Sequence, residues 1–287
     1  MRTLFNLIIS FLIFNIPLNL NAKGKKINKI IVDAGHGGKD YGAQGSFSSE
    51  KDVTLGVSLK LGKILTDSLP GMQVVYTRTT DIYPTLVERH DIANKSGGDL
   101  FIAIHANSTP YTYTHSLKGY KTVTRHHKKV KQPIYASVRH HETSRQGVET
   151  YVLALHRMKQ QGAEVEDEFS AKDSANGGGG EEALLNANDP QTAIIVAQYT
   201  GAFLNRSIKL GTRIQEQFAA QRRPDLGVKQ KPLEVLAGSA MPGVLVEVGF
   251  INNPEEETYL NSEKGQREVA LAIYRGIKAY KDDVENK

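Results

Sequence analysis

Two histidines stand directly behind short apolar runs. His36 follows Ile30-Ile31-Val32 and Asp33-Ala34-Gly35, and His105 follows the run 100–104. Imidazole is the commonest metal ligand, and the glycines around His36 let backbone approach a bound group closely. Glu50 adds a carboxylate within Ser49-Glu50-Lys51-Asp52. Two histidines and one carboxylate with an open fourth position are how a hydrolytic zinc site is built. The blander reading of Glu50 is an acid at a helix start: it favours the helix dipole, and Ser49 with Asp52 makes a capping-box pattern. Glu247 lies in Val244-Leu245-Val246-Glu247-Val248-Gly249-Phe250, where alternation puts it on the face of Leu245 and Gly249. A carboxylate in such a run is expensive unless paired, metal-bound or functional. It is either half of an internal salt bridge, for instance to Arg78, or a general base whose pKa burial lifts toward neutral.

Such chemistry requires elements that bring these residues together. Segments 30–32, 72–77 and 100–104 read as strands. A helix from Ser49 carries Val53, Val57, Leu61, Ile64 and Leu65 on one face, and a second helix spans 84–94. Further strand patterns occur at 147–155, near 233–236 and at 244–248. One later helix presents Leu204, Ile208, Gly211, Ile214 and Phe218, and another presents Val269, Ile273, Ile277 and Tyr280. Alternating strands and helices argue a single α/β domain with a largely parallel sheet. Ligands collect outside the carboxyl ends of parallel strands, so His36 and His105 should share one crevice, with Glu50 on the same rim.

Charge distribution excludes some functions. Lys and Arg number 36 against 31 Asp and Glu, and the +5 excess lies entirely within residues 1–29, which hold Arg2, Lys23, Lys25, Lys26, Lys29 and no acid. A body that sums to zero argues against nucleic acid as the partner. Arg2, a largely apolar stretch over 4–20 and Leu20-Asn21-Ala22 describe a signal peptide over 1–22, followed by a basic linker at 23–29. Asn6, Ser10, Asn15, Pro17 and Asn19 interrupt the run, against an uncleaved anchor. The expectation is an exported protein, periplasmic or secreted, with no stable membrane insertion after cleavage. With no cysteine, any metal must be held by His and carboxylate.

Two insertions of opposite charge break the core. Residues 108–146 hold eight Lys and Arg, one acid and five histidines, interspersed with Tyr111, Tyr113, Tyr120 and Tyr135. Without apolar periodicity, they read as irregular: a lid or wall contact on anionic polymer, or a solvated loop. Residues 147–190 hold nine acids and three bases; within them the insertion 156–190 contains a tetraglycine run at 177–180.

The motif Asp33-Ala34-Gly35-His36-Gly37-Gly38 with Gly42-Ala43 resembles the opening of the zinc-dependent N-acetylmuramoyl-L-alanine amidases of the type 3 catalytic family. Further blocks follow in family order: Glu50-Lys51-Asp52-Val53, Thr77-Arg78 with Asp81, Arg89 with Ala93-Asn94, the run from Asp99 to Asn107, Gly147-Val148-Glu149-Thr150-Tyr151, and Glu247 through Asn253. The resemblance implies a six-stranded, mostly parallel or mixed sheet flanked by helices over 30–281, with a tail at 282–287. It implies one zinc ion on His36, Glu50 and His105, Glu247 as the catalytic glutamate, and peptidoglycan as substrate, cut between N-acetylmuramic acid and L-alanine. Asp33 is then a candidate to orient a ligand histidine and Asn107 to donate to substrate or oxyanion. Arg78 and Arg89 are candidates for holding the domain together before touching substrate. Some relatives carry a helix over the zinc until a protein activator displaces it. That makes Glu164, Glu166, Asp167 and Glu168 candidates for filling the open position. The competing readings are a non-catalytic peptidoglycan-binding or regulatory protein on the same fold, and a zinc carboxypeptidase acting on stem peptides.

Overall fold

A computed structural model describes residues 26–175 and 190–286; the expected signal peptide and the tetraglycine run lie outside them. Six strands form the main sheet: β1 (Lys29–Ala34), β2 (Gln73–Tyr76), β3 (Leu100–Asn107), β6 (Val148–Leu153), β7 (Asp225–Lys231) and β8 (Gly243–Phe250). Their order is β2-β1-β3-β8-β6-β7. The first four in that order run parallel, β6 runs antiparallel to β8, and β7 is parallel to β6. This is the mixed α/β sheet expected. The central strands β1, β3 and β8 are nearly continuous apolar runs because helices cover both of their faces.

The two faces differ, and that difference creates the site. On one face Ile30, Val32, Ile102, Ile104, Val246 and Val248 join the larger core. Against it pack α1 (Glu50–Ser68), α4 (Pro190–Ala220) and α7 (Glu263–Glu285). On the other face Ile31, Phe101, Ala103 and Leu245 meet a smaller cluster. Its other members include Ala93 of α2 (Leu86–Lys95) and Val235 to Ala237 of the short α5 (Glu234–Ala237). That thin layer stops short of the strands' carboxyl ends. There, the two-residue alternation of a strand puts Asp33, His105, Asn107 and Glu247 on the same face. The apolar layer gives way to polar groups just where the chain leaves β1 and β3.

Several expectations are corrected. Segment 233–236 contributes to α5, not to a strand; the sixth strand is β7, which Gly227 at φ 84 breaks up enough to hide its pattern. Along α4, Leu210, Ile214 and Phe218 face inward while Ile208 is exposed. The 108–146 segment is not irregular. It is a separate antiparallel hairpin of β4 (Tyr111–Arg125) and β5 (Lys128–His141). The acidic segment begins as helix α3 (Met158–Ala175). At the ends, the Ile27 amide donates to Glu285 (2.6 Å), so α7 runs through the expected tail and the core begins ahead of Ile30. The remaining helix is α6 (Pro254–Asn261).

Candidate active site

Beyond β1 the chain turns through left-handed backbone at His36 (φ 58) and Gly38 (φ 52), with Gly37 at φ 125. Two glycines here are required by packing. A Cβ on Gly35 would stand 2.4 Å from the His105 ring, and one on Gly42 would stand 2.6 Å from both Glu50 Oε2 and the His36 ring. The imidazoles and carboxylate fill the space that side chains at 35 and 42 would need.

Glu50 is the first residue of α1, but it is not serving the helix start. The Ser49 side chain makes no capping bond; its hydroxyl donates to Asp52 instead (2.6 Å). The Glu50 carboxylate turns into the crevice, where Oε2 accepts the Ala43 amide (2.8 Å) and Oε1 the Ala106 amide (2.9 Å). Oε2 also lies 3.1 Å from His36 Nε2, and Oε1 lies 2.9 Å from His105 Nδ1. The two rings are 4.9 Å apart, edge to face. One donor atom from each residue falls within 4.8 Å of the others. Bonds of about 2.05 Å to a tetrahedral zinc would set donors roughly 3.3 Å apart, close to these separations. Two imidazoles, one carboxylate and one open side therefore fit zinc.

The charges are strongly coupled. Burial opposes ionisation of Glu50, yet the hydrogen bonds and charges of His105 and His36 hold its carboxyl well below the usual range. Burial also works against a charged His36, but Glu50 and then Asp40 outweigh it and raise the ring to about 9. His105 is raised as well, against its burial and chiefly by Glu50. The arrangement is electrostatically arranged to hold positive charge.

Asp40 was not picked out by the sequence reading. His36 Nδ1 lies 2.9 Å from Asp40 Oδ2, and Asp40 Oδ1 accepts the Gly42 amide (3.0 Å). An ionised carboxylate can only accept, so Nδ1 carries a proton toward Asp40; without metal Nε2 is protonated as well and donates to Glu50, and a bound metal would take the place of that second proton. Asp33, the residue expected to orient a histidine, does not do so. It is 1% exposed and accepts from Thr77 Oγ1 (2.6 Å) and Arg89 Nη1 (2.5 Å). Arg89 also donates to the carbonyls of Ala34 and His36 (both 2.7 Å), and Arg78 to those of Ala34, Gly35 and Lys51. Both arginines therefore hold the backbone of the His36 loop in place.

Glu247 pairs in register with His105 on one side and with Glu149 on the other. It is half-buried and makes no ion pair among the described residues; Arg78 is committed elsewhere. Its Oε2 is buried with no hydrogen-bond partner. Burial lifts its carboxyl to about 7, with His105 opposing and Glu50 adding to the rise. Glu149, which sequence reasoning also missed, has the opposite environment. It accepts from Asn107 Nδ2 (2.9 Å), Lys229 (2.8 Å), Arg145 (3.2 Å) and the Tyr151 hydroxyl, and Lys229 and Tyr151 keep its carboxyl low despite burial. Two adjacent carboxylates are thus driven apart, one kept charged and one poised to exchange a proton. Asn107 donates to Glu149 and accepts the Ser108 amide (2.8 Å).

A cleft of about 310 Å³ opens on this face, lined by His36, Asp40, Tyr83, Arg89, His105 and Leu233 among others. Among the described residues, none of α3 lines it. Glu164 instead accepts from Asn94 of α2 (3.3 Å), and Arg157 and Gln160 bind Glu234 of α5. Glu166 and Asp167 lie on the same helix; the Glu168 side chain is outside the described residues.

The AmiB protein of Haemophilus influenzae, a probable N-acetylmuramoyl-L-alanine amidase, is 32% identical over 277 residues, covering 94% of this chain and 54% of that protein. The chain thus spans about half the length of that relative. The crystal structure of an N-acetylmuramoyl-L-alanine amidase from Clostridium difficile 630 is 23% identical with a TM-score of 0.58, covering 90% of this chain and 98% of that one. The CwlD amidase of Clostridioides difficile, solved in complex with the GerS lipoprotein, gives 23% and 0.56, covering 88% and 98%. Both share the fold. Residues 30–279 match the family model for N-acetylmuramoyl-L-alanine amidase, a span that contains His36, Glu50, His105 and Glu247, and the chain belongs to that family.

Proposed function

We propose that this amidase hydrolyses the amide joining the lactyl group of N-acetylmuramic acid to L-alanine of the peptidoglycan stem peptide, with one zinc ion on His36, Glu50 and His105. When bound, zinc supplies positive charge that polarises the scissile carbonyl and makes water a better acid near neutral pH. The chain's own residues do the rest. Asp40 fixes the His36 tautomer, and the amides of Ala43 and Ala106 fix the Glu50 carboxylate. Glu247 takes a proton from the attacking water as its oxygen bonds to the carbonyl carbon. It then delivers that proton to the departing nitrogen as the carbon–nitrogen bond breaks. The products are a lactyl carboxylate and a stem peptide with a free L-alanine amine. Glu149, fully paired, anchors Asn107 at the end of β3 and holds a fixed negative charge beside Glu247.

The observation that carries this reading is the unpaired, buried Oε2 of Glu247, register-paired with His105. Glu247→Gln keeps the shape and removes the base. It should bind zinc as tightly as the parent and lose turnover by about 10²–10⁴-fold, the usual contribution of a positioned acid–base group. Parental turnover in that variant would refute the assignment. Export is supported by the Arg2 and apolar pattern over residues 1–22, and no helix among the described residues is long and apolar enough to cross a membrane. A protein activator would be the counterpart of GerS in the CwlD complex.

A further inference from the structure

The β4–β5 hairpin takes no part in the proposed chemistry, and the side-chain arrangement on it is lopsided. Its register pairs Tyr111 with His141, Tyr113 with Arg139, Leu117 with Tyr135 and, past a bulge, Tyr120 with Pro133. Paired residues share a face and side chains alternate along a strand. All four tyrosines therefore lie on one face, together with Arg139, Lys129 and Lys131. The opposite face, with Thr114, Val123, Val130, Ile134 and Val138, carries no tyrosine, although it holds Lys121, Arg125, Lys128 and His140, so the tyrosines and not the cations set the two faces apart. Tyr113, Tyr120 and Tyr135 are 57%, 60% and 59% exposed. A two-stranded ribbon with no covering layer is marginal by itself, and exposed rings on one side of it mark a contact surface.

The hairpin's root fixes what lies along it. β3 places His105 and ends at Asn107, and β4 starts four residues later. His141 Nε2 meets the Thr109 carbonyl (2.5 Å), and Asn252, beyond β8, accepts the Thr109 amide (3.1 Å) and donates to the Thr109 hydroxyl (2.9 Å). Both ends of the ribbon are thus tied just beyond the carboxyl ends of β3 and β8, the strands that carry His105 and Glu247. Residues 108–146 hold eight Lys and Arg against one acid, although the body of the chain sums to zero.

We propose that the tyrosine face of this hairpin binds peptidoglycan strands and feeds them toward the crevice, a role that rests on the amidase reading. Sugar rings present flat C–H faces that stack on tyrosine, and the carboxylates of the stem peptides match the cations beside the rings. The polymer is chosen over nucleic acid or a lipid surface because the ribbon is continuous with a site for muramoyl amides.

The test compares the parent with two triple variants of the full chain: Tyr113→Ala/Tyr120→Ala/Tyr135→Ala, and Val123→Ala/Val130→Ala/Ile134→Ala on the other face. Co-sedimentation with purified sacculi on ice reads binding, and hydrolysis of a soluble muramoyl peptide reads the crevice alone. The tyrosine variant should bind sacculi at least tenfold more weakly, the valine–isoleucine variant should bind like the parent, and both should cleave the soluble substrate normally. Parental sacculus binding by the tyrosine variant would overturn the proposal. So would an equal loss in both variants, or tighter binding of the parent to duplex DNA or phosphatidylglycerol vesicles than to sacculi. Failure of the parent to cleave the soluble substrate would instead contradict the amidase reading, and sedimentation would still decide the hairpin's role.

Discussion

Asp40→Ala should weaken zinc binding without unfolding the chain. The Asp40 carboxylate holds His36 Nδ1 at 2.9 Å, and its other oxygen pins the Gly42 amide in the turn that presses on Glu50. Removing it lets the ring rotate and lets the proton settle on Nε2, the nitrogen that must stay bare for a metal. Losing such a partner typically weakens metal affinity by about 10–100-fold, or roughly 1.4–2.7 kcal/mol. The Asp40 side chain is 41% exposed, so solvent screens its charge and most of the loss should come from orientation. Asp40→Asn, which retains an accepting oxygen, should therefore lose much less. Competition against a chromophoric zinc chelator at neutral pH measures both. The Tm of the metal-free alanine variant should move by no more than about 2 °C, as for an exposed substitution in a chain of this size. Zinc affinity within about threefold of the parent's, below the expected range, would refute the orienting role. An asparagine variant as weak as the alanine one would show that charge, not geometry, matters.

Other outcomes follow from the same contacts. Arg89→Met leaves Asp33 buried without its partner and frees the Ala34 and His36 carbonyls. The expected loss is about 3–5 kcal/mol, a Tm drop of roughly 6–20 °C by calorimetry, and a shift under about 2 °C would contradict the clamp. In metal-free protein, burial pushes the folded-state Glu247 carboxyl up to about 7 from the 4.5 of a free glutamate, so its ionisation favours the unfolded state. The parent should therefore lose stability as pH climbs through that window and keep the loss above it. The Tm advantage of Glu247→Gln should grow across the same window and then level off; a difference flat with pH would sink this assignment.

Much of the site was legible because its residues interrupt apolar strands at their carboxyl ends. His105 and Glu247 each break an otherwise buried run, and Glu50 follows a glycine-rich loop. Asp40 left no such signal: it lies in that loop, four residues after His36, where no period governs spacing and only the left-handed turn brings it back. Glu149 was hidden because its worth depends on partners from β3, β7 and the 145 region, which sequence does not place. Asp33 was legible as buried, but its partner was not. Position 33 shares a face with His105, yet Arg89 arrives from α2 and claims it. The hairpin was missed for a different reason. Both faces are exposed, so no apolar side marks it, and its two-residue turn is His126-His127, both left-handed, where Asn-Gly would have been the usual sign. The Tyr-Thr-Tyr-Thr alternation over 111–114 was a usable signal of strand.

The central claim is that a His36–Glu50–His105 metal site with Glu247 as base cuts the muramoyl–L-alanine amide. Digestion of purified sacculi, with the released fragments identified by mass, tests it most directly. The expected products are stem peptides beginning with a free L-alanine amine, abolished by a zinc chelator and recovered on adding zinc back. Release of those peptides by the chelated enzyme, or shortening of stem peptides at the carboxyl end in their place, would contradict it.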